Sequence, residues 1–182
     1  MYEFPQTDLP KFIIDINMVW LRTQLTRGRI PSKAQNPGRG TNRKHPWEEV
    51  VFIQTMHHLS FIGRSPKSNA LVAEEIQKKI SSDRWLIPPK NTYDEICHWI
   101  PESDEEERFQ EVIFFQFHPD KDATELKRCE FIPRQDVNWD TLRELQLSIE
   151  GAYYDYSYMV VRLAETILEH YKYYGGLQTL KE

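Results

Sequence analysis

Cysteine is nearly absent from this chain of 182 residues, where only Cys97 and Cys129 occur. Two cysteines cannot build a disulfide framework, and these lack the paired spacing of a zinc site. They read as two reduced core thiols, with a single bridge between them as the alternative. Long apolar runs are absent as well. The strongest, such as Val50 to Ile53 and Val112 to Phe117, fall far below the roughly 20 residues that a membrane-spanning helix requires. The N-terminal MYEFPQTDLPKF places acids and prolines where a signal peptide would have a basic region and then an apolar one. The expectation is a soluble, cytoplasmic protein with no membrane contact. Internal repeats and a glycine-rich phosphate loop are also missing.

What is present is ample core material, 40% apolar with 13% aromatic residues. At this length one core is expected, hence a single domain over 1–182 with an exposed basic loop or arm at 26–46. The charge is unevenly spread. Residues 22–45 carry Arg22, Arg27, Arg29, Lys33, Arg39, Arg43 and Lys44 and no acid, while the whole chain stands at −5, which leaves −12 for the rest. Part of that acid is concentrated in Glu102, Asp104, Glu105, Glu106 and Glu107. Such a chain has one surface suited to a polyanion and another suited to a cation.

Thr7 or Asp8 can cap a helix over 10–25, with Pro10 tolerated in its first turn. The β-branched Ile13, Ile14, Ile16 and Val19 make a strand the competing reading. No regular element fits TRGRIPSKAQNPGRGTNRKHP, which is rich in glycine, proline and polar residues. Pro46, Glu48 and Glu49 suit the start of a second helix, 47–60. Gly63 and Pro66 interrupt it, and Ser68 or Asn69 can cap a third, 70–80, with Val72, Ile76 and Ile80 on one face. A short strand at 84–87 and a capped helix at 93–99 follow. Glu111 to Phe117 is the clearest strand, with Cys129 to Ile132 as its antiparallel partner.

From about Trp139 to Tyr174 apolar residues recur in steps of three and four: Leu142, Leu145, Ile149, Ala152, Tyr156, Met159, Leu163, Ile167 and Tyr171. The pattern predicts a long C-terminal helix, able to bend at Gly151 and ended by Gly175-Gly176. Leu147, Tyr154, Tyr158 and Val161 fall on its opposite face. A helix apolar on two sides is covered twice, by its own domain and by a second helix or a protein neighbour, and tyrosine is favoured at such interfaces. The expected fold class is therefore α+β, mainly helical with a small antiparallel sheet and a long C-terminal helix.

Three constellations bear on function. Arg27, Arg29, Lys33, Arg39, Arg43 and Lys44 suit contacts to phosphates, and His45 and Trp47 at the end of the arm could stack on a base. Such an arm does not separate RNA from DNA. Asp120, Glu125 and Lys127 loosely match the carboxylate and acid-x-lysine elements of magnesium-dependent nucleases. Asp120 and Glu125 are, however, too close in sequence to lie on adjacent strands. Adjacent His57 and His58 point about 100° apart on a helix and are poor partners for one metal. The first expectation is a non-catalytic nucleic-acid-binding or assembly subunit with no cofactor. Its arm would bind phosphates and its C-terminal helix a protein neighbour or a second copy. A magnesium nuclease and an acidic inhibitor or immunity protein are the alternatives.

Overall fold

A computed structural model describes residues 3–31, 43–61, 64–82, 111–118, 125–144, 151–154, 159 and 162–167. The chain starts with strand β1 (Glu3–Pro5), a 3-10 turn (Gln6–Asp8) and helix α1 (Leu9–Phe12). Helix α2 follows at Met18–Thr26. The single helix expected over 10–25 is thus two, and the cause is local. Asp15 takes a left-handed backbone, φ 58°, which a right-handed helix cannot accommodate. Asn17 then restarts the helix, its side-chain oxygen accepting from the N–H groups of Val19 at 2.8 Å and Trp20 at 3.2 Å.

Strand β2 (Lys44–Pro46) pairs antiparallel with β1, Phe4 opposite His45. This corrects the expectation that no regular element lies in 26–46. Helix α3 (Trp47–Ser60) begins directly from Pro46 and has the expected bounds. Val50, Val51, Phe52, Ile53, Met56 and Leu59 are all fully buried. These residues cover every side of a helical wheel, so α3 is the axis of the core rather than a surface helix. Helix α4 (Pro66–Ser82) starts earlier than expected. Pro66 opens it, as a residue needing no amide partner in the first turn, and Ser65 Oγ accepts from Ser68 N–H at 3.2 Å. Ser68 and Asn69, the expected caps, are buried inside the helix, and Val72, Ile76 and Ile80 are buried as the periodicity predicts.

Strands β3 (Glu111–Phe117) and β4 (Leu126–Pro133) form the expected antiparallel hairpin, with β4 starting earlier and a bulge at Gln116/Phe117. The sheet has a third strand, β5 (Gly151–Tyr154), on the other side of β3, Phe114 opposite Tyr153. Between them lie a 3-10 turn (Arg134–Asp136) and the short helix α5 (Trp139–Glu144). β3 buries Ile113, Phe115 and Phe117 in the main core and Val112 and Phe114 on its opposite face. A strand apolar on both faces is one covered on both faces, and β3 is also the central strand, with β4 and β5 at its two edges.

β5 overturns a continuous helix from Trp139 to Tyr174. Gly151 is a poor helix residue, and Ala152, Tyr153 and Tyr154 complete the ladder of β3. The helical pattern survives further on, where Met159, Leu163, Ala164 and Ile167 are buried in the main core and residues 162–167 are helical. The architecture is α+β, with helices around α3 and two small antiparallel sheets. The elements expected at 84–87 and 93–99, the acidic run and Cys97 lie outside the described residues. Among the described residues no helix is long and apolar enough to cross a membrane.

Candidate nucleic-acid interface

The acid-free segment is held by the core on both sides of its centre. Upstream, Arg27 ends α2 as an exposed residue, Gly28 turns the chain at φ 64°, and Arg29 donates from Nη1 to Gln24 Oε1 at 3.1 Å. Ile30 then enters the core at 2% exposure. Downstream, the carbonyl of Arg43 accepts from Gln6 N–H at 2.7 Å, Lys44 is exposed on β2, and His45 is fully buried. Arg22 is exposed on α2. Lys33 and Arg39 lie outside the described residues. The structure therefore presents Arg22, Arg27 and Lys44 to solvent and keeps Arg29 and Arg43 half-buried.

The two aromatic groups expected to stack on a base do not reach the surface. Trp47 is 3% exposed and belongs to the core. His45 Nδ1 lies 3.1 Å from Glu49 Oε1, with 0% and 2% of the two side chains exposed. The contact is one of ion-pair distance without hydrogen-bond alignment, and among the described residues His45 Nε2 and Glu49 Oε2 have no hydrogen-bond partner. His45 and Glu49 thus belong to the interior that fixes β2 against α3.

At the other end of α3 the order is reversed. His57 is buried, yet its ring lies edge-on to Trp20 (5.3 Å between centroids, 74°) and to Phe61 (5.1 Å, 83°), and it donates to the backbone carbonyl of Asp15. Burial, helped by neighbouring His58, pushes its pKa below the ordinary 6.5, against the opposing pull of Asp15. Phe61 itself stands in solvent at 68% exposure, with Val19 at 70% and Ile14 at 75%. Sequence reasoning missed this group. The available signal was that Phe61 follows the last turn of α3 and precedes Gly63, outside the helical repeat.

The residues of the nuclease alternative are only partly placed. Glu125 and Lys127 are exposed near the hairpin turn, the Glu125 carbonyl accepting from His118 N–H at 3.1 Å, and Asp120 lies outside the described residues. Among the described residues no three His, Cys, Asp or Glu side chains are grouped to hold a metal ion. Cys129 is a free, half-buried thiol pushed up to about 11 by burial and by Glu75, and it is poorly suited to nucleophilic work. Of the expected interface residues, Tyr154 sits in β5 opposite Ile113, so the two-sided helix argument fails there. Leu147, Tyr158 and Val161 lie outside the described residues. No protein-family model matches the chain, and no curated protein matches it.

Proposed function

We propose that the chain binds nucleic acid without acting on it, through the cations of the acid-free segment. The observation that carries this reading is a segment with seven cations and no acid in a chain of net charge −5. Its described cations Arg22, Arg27 and Lys44 are exposed. The residues Ile30 and His45 that bracket its centre are buried, so the segment is tied to a folded body at two points. Cations placed in this way displace counterions from a phosphate backbone and give a grip that weakens as salt rises.

Fluorescence anisotropy with an oligonucleotide over a series of salt concentrations tests the reading. Neutralising Arg22, Arg27 and Lys44 to Gln is expected to flatten the plot of log affinity against log salt by about 0.7 per removed cation on a single strand. Absence of binding at low salt, or a slope indifferent to these substitutions, sinks it.

A further inference from the structure

Ile14, Val19 and Phe61 are the exposed large apolar side chains among the described residues, and they gather around one buried ring. His57 lies edge-on to Phe61 and to Trp20, and it donates to the backbone carbonyl of Asp15. Val19 and Ile14 are the chain neighbours of Trp20 and Asp15. Exposed apolar side chains scattered singly mean little, but a concentration of them with an aromatic ring among them marks a binding surface.

The charge at this surface favours one kind of occupant. Asp15 is exposed, and its carboxylate is close enough to pull the pKa of His57 upward. Among the described residues it forms no ion pair, and Lys11, four residues before it, is engaged with Asp8 at 2.8 Å. Burial holds both His57 and His58 below the ordinary 6.5, so at pH 7 they are neutral and leave the carboxylate uncompensated. The exposed cations of α2 stand away from it. Arg22 lies about 200° round the helix from Trp20, and Arg27 lies two turns, about 10 Å, farther along. A free carboxylate attracts a cation, and the face of an exposed aromatic ring attracts the same group through its quadrupole. A phosphate is disfavoured by both. The surface is thus complementary to a positive charge set among apolar groups.

We propose that Ile14, Asp15, Val19 and Phe61 form a docking surface for a basic segment of a partner protein, one that sets a lysine or arginine among apolar side chains. The cation meets the Asp15 carboxylate, and the apolar side chains cover Phe61, Val19 and Ile14. The surface uses none of the cations assigned to phosphates and does not depend on the binding of nucleic acid.

A library of random peptides displayed on phage and selected against the full chain supplies the probe. The selected peptides are expected to carry a lysine or arginine flanked by apolar residues, and fluorescence anisotropy with one of them, labelled, then reads the contacts. Asp15→Asn keeps the backbone carbonyl to which His57 donates and suits the left-handed backbone at φ 58°, so it removes the charge alone. It is expected to weaken binding about tenfold at low salt and much less at high salt. Phe61→Ala is expected to weaken binding about tenfold at either salt, while Arg22→Gln leaves it unweakened. Circular dichroism should show all three variants folded. A selection that yields no peptide, or peptides without a basic residue, overturns the proposal, as does binding indifferent to Asp15→Asn. Displacement of the peptide by a single-stranded oligonucleotide whose own binding Phe61→Ala abolishes assigns the surface to nucleic acid and overturns it too. A wild-type dimer that Phe61→Ala converts to a monomer in sedimentation assigns the surface to a contact between copies, with the same consequence.

Discussion

At the N-terminal end of α3 two ionisable side chains, His45 and Glu49, are buried in contact with each other, whereas just past its C-terminal end the ring of Phe61 stands in solvent. The residues between them on the helix are apolar and fully buried at nearly every inward position. The two ends therefore depart from the usual partition in opposite senses, and the departures have different costs. Burying a charge or an unmatched polar atom costs several kcal/mol and persists only where the surrounding packing holds it in place. Leaving one ring exposed forgoes some stabilisation but breaks nothing. The first end bears on how the fold is held, and the second on what packing leaves at the surface.

The largest effect should come from breaking the buried pair one partner at a time. Glu49→Ala leaves His45 in the core without its neighbour and is expected to cost about 3 kcal/mol in urea unfolding. The double change His45→Leu, Glu49→Leu should recover most of that loss, because an apolar pair of similar volume needs no partner. If Glu49→Ala unfolds with the wild-type midpoint, the pair does not hold β2 to α3 and the contrast between the two ends collapses.

Smaller effects sharpen the other end. Asn17→Ala removes the acceptor for Val19 and Trp20 N–H and is expected to cost about 1 kcal/mol. It also loosens the turn of α2 that sets Trp20 against His57. His57 adds a dependence on pH. Its folded pKa lies below the ordinary 6.5, so on acidification the unfolded chain takes up the proton first. Stability is then full above about pH 6.5 and falls as the pH drops below it. Thermal unfolding of His57→Gln between pH 7 and 5 should show a shallower decline than the wild type, and identical slopes would mean that His57 is not the group responsible.

The amino-acid pattern made α3, α4 and the β3–β4 hairpin legible because each is packed strongly by a simple periodicity or an unbroken apolar run. It misled where the same residues serve two patterns. Ala152 falls on the helical stripe of the C-terminal region, but Ala152, Tyr153 and Tyr154 also pair with β3. The break at Asp15 was hidden because a left-handed residue leaves no trace in hydrophobic spacing. Of the candidate site, the cations were readable from composition alone. Trp47 was misplaced because an aromatic residue next to a basic run looks the same whether it stacks on a ligand or fills the core. Phe61 escaped notice because exposure is a property of tertiary packing.

The smallest expected effect separates the two ends most cleanly. Phe61→Ala removes a ring that is mostly in solvent, so its effect on urea unfolding should stay within about 0.5 kcal/mol. The part of the ring that meets His57 and His58 sets the upper end of that range. A loss several times larger would show that the ring braces the Trp20–His57 contact and belongs to the fold, as Glu49 does. A loss within the range would mean that folding leaves this position free.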